Sequence, residues 1–320
     1  MADGSDHLTG HRYLRVQDLR RLRRLVFSAR RPVEGLYAGR HGSLQRGRSV
    51  EFSDYRPYMP GDEVGDIDWK VYGRSDRLYV KLFEHQSDLT IRILVDGSAS
   101  MAYSGMGGPA RRSLVLRSPR PGESDRKYDT ACRIAGAIAF LTISQQDRAG
   151  FAIAQRGLAV RQEPGGSYAH LHRMLGAMEQ TEPTGEADLP RAIDDLSETA
   201  QRRGLLVLIS DLLDDRDATM RAISRFTHLR HEVIVFHVLH GDELNLPRVD
   251  EARFVDSETG GGVRLNVRDV RRDYTARMRD FLDGWSAVFR SRGMDYRMVN
   301  VADPPARALE DYLFRRAATG

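Results

Sequence analysis

A chain of 320 residues with 41% apolar content can bury a full core as one large domain with an appendage. A formal net charge of +4 is too mild to demand a polyanionic partner, and no run of about 18 apolar residues marks a membrane span. The single cysteine, Cys132, excludes an internal disulfide and reads as a small buried core residue. Met1 to Arg12 is polar and the next stretch is broken by arginines, so a cytoplasmic protein is expected.

The charge is unevenly placed. Residues 1–50 hold eleven Arg against four acidic side chains, whereas residues 51–88 hold five basic and nine acidic ones. Within a basic segment at 1–34, Val16 to Phe27 carries Leu19, Leu22, Leu25 and Val26 at helical spacing among arginines. Such a helix either packs on the protein body or lies on an acidic or anionic-lipid surface. Residues 35–88 change character: turn residues cluster at Gly39 to Gly42, Pro57 to Gly61 and Gly73 to Asp76. Short alternating stretches stand between them, at Val50, Phe52 and Tyr55, at Trp69 and Val71, and at Leu78, Val80 and Leu82. These predict a small β-rich module with Tyr55, Tyr58 and Trp69 in its core. The acidic group Asp62, Glu63, Asp66 and Asp68 reads as a solvated turn.

From Leu89 to the end at residue 320, strands alternate with helices, the pattern of a mostly parallel, doubly wound α/β sheet covered on both faces. Leu89 to Val95 predicts the first strand. A Gly/Pro/Ser-rich insertion follows, with Arg111, Arg112, Arg117, Arg120, Arg126 and Lys127 in or beside it. Tyr128 to Gln145, apolar on nearly every side, predicts a central buried helix. Arg148 to Gln155 and Leu158 to Gln162 form a hairpin about Arg156-Gly157. Helices are expected near 168–180 and 189–202, the second capped by Asp188, then a strand at Leu205 to Ser210 that ends at Asp211. A helix near 217–229, a strand at 232–239, a hairpin excursion at about 250–268, a helix at 270–291, a strand at 296–301 and a helix at 305–316 complete the chain.

The most informative residues are Asp96-Gly97-Ser98-Ala99-Ser100, at the end of that first apolar strand. The carboxyl end of a strand is where open α/β sheets place ligands. One carboxylate and two hydroxyls from one loop make a hard, all-oxygen half-site suited to Mg²⁺ or Mn²⁺. Asp-x-Ser-x-Ser in this setting resembles the metal-ion-dependent adhesion site of von Willebrand factor A-like domains. Gly47 to Asp62 (GRSVEFSDYRPYMPGD), Ile67 to Lys70 (IDWK) and Arg77 to Lys81 (RLYVK) resemble a narrower group, the bacterial family labelled domain of unknown function 58. The resemblance spans about residues 36 to 320.

That resemblance implies a metal held by Asp96, Ser98 and Ser100, by a middle-loop threonine, and by Asp211 after a later strand. Here Gly185-Glu186-Ala187-Asp188-Leu189 stands where similar members read Gly-x-Thr-Asp-Leu, so Ala187 brings no side-chain oxygen. Water, Thr184, Glu186 or Asp188 is left to fill the position. The function implied is that of a non-catalytic protein-binding adaptor whose ion offers an open position to a partner's carboxylate. Family members are commonly encoded beside MoxR-type AAA+ ATPases and are thought to act with them in protein assembly or maturation. The chain has no Walker A pattern of its own.

Two other classes compete. A metal-dependent hydrolase needs an activated water or nucleophile, yet the chain lacks the second Asp of a haloacid dehalogenase-type Asp-x-Asp, and Gly-x-Ser-x-Gly is not formed. No histidine or lysine adjoins the motif in sequence, which leaves only a neighbour in three dimensions. The arginine-rich segments raise nucleic-acid or anionic-lipid binding, without accompanying aromatic stacking motifs. The pairs His170/His172, His228/His231 and His237/His240 read as scattered residues, not a zinc site.

Overall fold

A computed structural model describes residues 11–14, 51–58, 68–75, 77–84, 89–106, 126–200, 203–258 and 260–319. The helix expected at Val16 to Phe27, most of the basic insertion, and Asp62, Glu63 and Asp66 lie outside the described residues. The described residues fall into two compact units, 51–84 in one and 11–14 with 89–319 in the other.

In the smaller unit β1 (Glu51–Pro57) pairs antiparallel with β2 (Tyr79–Glu84). Between them, Trp69 and Val71 belong not to an extended stretch but to a helix, α1 (Trp69–Ser75). The start signal is Asp68, whose Oδ1 accepts the backbone N–H groups of Lys70 at 2.9 Å and Val71 at 3.3 Å. The capping role puts Asp68 inside, 6% exposed, whereas Trp69 is 57% exposed. Trp69 is therefore not a core residue and Asp68 is not a solvated turn.

In the larger unit β3 (Thr90–Asp96), β4 (Arg148–Ala154), β5 (Leu158–Gly165), β6 (Gly204–Ser210), β7 (Glu232–Leu239) and β10 (Asp295–Asn300) form one sheet in the order β10-β7-β6-β3-β4-β5. All pairs are parallel except β4 with β5, the hairpin at the edge. Arg156 and Gly157 turn that hairpin with φ of 51° and 100°. β3 and β6 lie inside the sheet with every residue buried, which is why both read as unbroken apolar runs.

Helices cover both faces. α2 (Lys127–Ser144), α3 (Tyr168–Gln180) and α8 (Pro305–Thr319) occupy one side, where α2 touches β3, β4, β6 and β7. α4 (Leu189–Glu198), α5 (Arg216–His228) and α7 (Val267–Ser291) pack on the other, around Leu94, Leu206, Leu208, Val233 and Val235. On this second face Trp285 stacks on Phe289 with ring centroids 5.3 Å apart. A short helix, α6 (Gly241–Leu244), follows β7, and β8 (Glu251–Val255) pairs with β9 (Gly262–Asn266) as the expected hairpin excursion. The expected doubly wound, mostly parallel α/β architecture is thus present. No helix of the described residues is long and apolar enough to cross a membrane.

Residues 11–14 dock on this unit. Tyr13 and Leu14 are buried, and the buried Asp129 of α2 accepts Tyr13 OH and Arg12 Nη2, each at 2.8 Å. Cys132 lies one turn further along α2, fully buried, and burial pushes its thiol up, so it is an inert core residue.

Candidate functional site

At the carboxyl edge of the sheet the chain leaves β3 through a turn that only glycine allows. A Cβ on Gly97 would sit 2.7 Å from Ile153 Cγ2 and 3.0 Å from Gln155 Cγ. The backbone here is pinned from both sides: Gly97 N–H donates to Ala154 O at 2.9 Å, and Gln155 Nε2 donates to Gly97 O at 2.8 Å. Asp96 Oδ1 accepts the Ser98 N–H at 2.9 Å, which turns the loop into a 3-10 helix over Ala99–Ala102 and brings both serines inward.

β6 delivers Asp211 to the same place. Ser100 Oγ donates to Asp211 Oδ2 at 2.6 Å, and the two serine hydroxyl oxygens are 3.0 Å apart. A hydroxyl has a single proton, so with that of Ser100 on Asp211 the proton of Ser98 is the one available to Ser100 Oγ and to the Asp96 carboxylate. Ser98 keeps its lone pairs. Asp96, Ser98, Ser100 and Asp211 therefore form one continuous, buried oxygen cluster.

The middle loop is tied to this cluster through its backbone: Ala99 N–H donates to Gly185 O at 2.8 Å and Thr184 N–H to Gly97 O at 2.9 Å. Ala187 faces the same cavity, of about 260 Å³, with Glu186 and Asp188 on either side of it. Asp188 is also the cap of α4, accepting Arg191 N–H at 3.2 Å. Thr184 does not line the cavity. Asp214 and Asp215 after β6, and Glu258 from the tip of the β8–β9 hairpin, complete an acidic rim with the exposed Leu213. So many carboxylates around one concavity give it a negative potential that favours cations.

Three further residues at the site carry no local sequence motif. Ser210 Oγ donates to Asp96 Oδ2 at 2.5 Å and accepts Leu212 N–H at 2.9 Å, which fixes the carboxylate and the turn after β6. Lys127, which the sequence places beside a basic insertion, is wholly buried and donates from Nζ to Asp211 Oδ2 at 2.7 Å. The same ammonium donates to Glu243 Oε1 at 2.5 Å. A legible signal existed, since Lys127 opens a helix that is apolar nearly all round and so has no wet face to offer it.

The electrostatics follow from burial. Asp96 is pushed up to about 7, by loss of solvent first and by the Asp211 carboxylate second, against the hydrogen bonds from Ser210 and Ser98. Burial opposes the charge of Lys127, but the carboxylates of Asp211 and Glu243 outweigh it and raise its pKa. His237 donates from Nε2 to the Asp211 carbonyl at 2.8 Å, so its Nδ1 accepts the Tyr296 hydroxyl at 2.7 Å. Burial lowers this neutral imidazole to about 4, more than the attraction of Asp211 restores. His170 is bonded to Ala149 O and His231 to Gly204 N–H, each within its own packing.

Two carboxylates and two hydroxyls are a hard donor set that suits Mg²⁺ or Mn²⁺, with water in the remaining positions. Among the described residues no group of three or more His, Cys, Asp or Glu is arranged to hold a metal, so an ion here would depend on the serine oxygens.

The chain matches the family described as protein of unknown function DUF58 over residues 54–281. It is 31% identical over 261 residues to an uncharacterized protein of Mycobacterium tuberculosis (strain ATCC 25618 / H37Rv), covering 80% of this chain and 76% of that one. An uncharacterized protein of Mycobacterium bovis is similar to the same extent, 31% over 261 residues with 80% and 76% covered. Among solved structures, the conserved hypothetical protein BatB from Bacteroides thetaiotaomicron aligns with 72% of this chain and 99% of its own, at 12% identity and a TM-score of 0.42. The SpRpn10 VWA domain aligns with 70% and 94%, at 13% identity and a TM-score of 0.38. By its match over most of its length and by these relatives, the chain belongs to the DUF58 family.

Proposed function

We propose that this protein is a non-catalytic binding module that grips a protein partner through the loops around Asp96, Ser98, Ser100 and Asp211. The observation that carries this reading is the convergence of those four side chains from two strand ends into one connected oxygen cluster. In this reading the cluster holds Mg²⁺ or Mn²⁺, and the ion supplies a Lewis-acid position that a partner's carboxylate fills. The protein's own residues orient the donors: Ser210 fixes Asp96, and the Asp211 carbonyl is fixed by His237. The acidic rim repels a bare carboxylate, so partner binding depends on the ion.

Ala187 leaves its own position without a side-chain oxygen, and Glu186 and Asp188 are the carboxylates nearest in sequence that share the cavity. The partner class favoured by the family resemblance is a MoxR-type AAA+ ATPase, with the chain acting as its adaptor. A hydrolase is less well supported. Serine chemistry needs a base able to take a proton, and Lys127, the lysine that the fold brings to the motif, is charged and held by two carboxylates.

The test is direct. Wild type and Asp96→Ala are titrated with Mg²⁺ and Mn²⁺ by calorimetry, then mixed with a purified MoxR-type ATPase in metal and in chelator. Metal and ATPase binding by the wild type, both lost in Asp96→Ala and the second lost in chelator, is the expected result. ATPase binding indifferent to Asp96→Ala and chelator would overturn it.

A further inference from the structure

Lys127 is a buried charge that the proposed function leaves without a role. It stands at the first residue of α2, fully shielded from solvent, with Nζ between Asp211 Oδ2 at 2.7 Å and Glu243 Oε1 at 2.5 Å. Both of its partners are tied down in turn. Glu243 Oε2 accepts the His240 N–H at 2.7 Å in the cap of α6, and the Glu243 carbonyl accepts Tyr274 OH at 2.8 Å. Asp211 is fixed by Ser100 Oγ at 2.6 Å and, through its carbonyl, by His237 at 2.8 Å. An ammonium clamped between two anchored carboxylates cannot swing into solvent as a surface lysine does.

This arrangement has two effects on Asp211. Its Oδ2 already accepts two donors, Ser100 and Lys127, which leaves Oδ1, with only the long 3.4 Å approach of Leu213 N–H, as its open oxygen. The fixed positive charge beside the cluster also repels any further cation, and in a buried setting that repulsion is poorly screened.

We propose that Lys127 is a resident cation of this site, and that it holds the affinity of Asp96, Ser98, Ser100 and Asp211 for a divalent ion deliberately low. The inference rests on the metal-site reading above. It makes the site one that takes an ion weakly by itself, and it assigns to Lys127 the compensation of Asp211 that a tightly held metal would otherwise provide. The missing oxygen at Ala187, which lines the cavity, acts in the same direction.

The experiment is a calorimetric titration of the full chain with MnCl₂ and MgCl₂, comparing wild type, Lys127→Met, and Lys127→Met/Glu243→Gln, with thermal unfolding to establish that each variant is folded. Removing the ammonium frees Asp211 and deletes a like charge, so Mn²⁺ affinity rises by roughly tenfold or more in Lys127→Met. The double variant, which deletes one charge of each sign, shows a smaller rise and decides the matter if the single variant does not fold. Unchanged or weaker affinity in the folded variant overturns the proposal. If the wild type binds no ion and the variant does, Lys127 is the barrier and the wild-type metal reading falls alone. If neither binds, both fall.

Discussion

Lys127 Nζ and Asp211 Oδ2 are 2.7 Å apart with both side chains closed to solvent, an ion pair built into the base of the candidate site. Glu243 joins it from α6, 20% exposed. Such a triad is costly to assemble and more costly to break, because removing one partner leaves the others charged in a dry place. Lys127→Ala is expected to lower stability by about 3–5 kcal/mol, measured by urea unfolding. Lys127→Ala/Asp211→Asn should lose less than the sum of the two single changes; strict additivity would mean that the pair is not coupled.

Ala187 is the point where this chain departs from the pattern it resembles. It is 5% exposed and faces the cavity that Asp96, Ser98 and Ser100 line, so a threonine there adds a hydroxyl without a new charge. Ala187→Thr is expected to tighten Mg²⁺ binding several-fold with little change in stability. Calorimetry reads the first and thermal unfolding the second; a threonine that leaves the affinity where it was would place residue 187 outside the coordination sphere.

His237 predicts an acid-sensitive fold. Its folded pKa of about 4 lies below the ordinary histidine value of 6.5, because burial disfavours the imidazolium. The stability it contributes is complete above pH 6.5 and is lost as pH falls toward 4, since the unfolded chain takes up the proton first. The effect is on the order of 3 kcal/mol between those limits. His237→Gln should flatten the stability profile between pH 6.5 and 4, and a slope equal to that of the wild type would assign the acid sensitivity elsewhere.

Gly97 is required by space. A Cβ there meets Ile153 Cγ2 at 2.7 Å and Ala154 O at 3.2 Å, so Gly97→Ala must displace the loop that carries Ser98 and Ser100. A loss of about 1–3 kcal/mol is expected, together with weaker Mn²⁺ binding. Retention of both would show that the turn yields without cost.

Tyr13 fastens the segment 11–14 to α2 through the Asp129 carboxylate at 2.8 Å. Tyr13→Phe leaves one oxygen of a buried carboxylate short of a donor, with Arg12 still on the other. A cost of about 1–3 kcal/mol follows, and limited proteolysis should cut before α2 packing is lost. Protection equal to the wild type would mean that Leu14 burial alone holds the segment.

Much of the larger unit was legible because its signals are local. The unbroken apolar runs of β3 and β6 mark strands buried on both faces, the apolar girth of α2 marks a central helix, and Arg156-Gly157 marks a hairpin. The smaller unit is less legible. Trp69 and Val71 alternate with polar residues as a strand would, and the capping oxygen of Asp68 overrode that hint by starting a helix.

The sequence by itself determined the strand ends on which Asp96, Ser98, Ser100 and Asp211 stand, since apolar periodicity and the Asp-x-Ser-x-Ser spacing lie within a few residues of one another. Only the tertiary structure decided what faces them. Lys127 meets Asp211 across 84 residues and Glu243 across 116, and Ser210 reaches Asp96 across 114. Those meetings depend on the strand order β7-β6-β3, which sets the ends of three strands side by side and leaves the head of α2 above them. A lysine that reads as one more surface cation becomes the buried counter-charge of the site because of where parallel pairing puts its neighbours, and no local pattern encodes that.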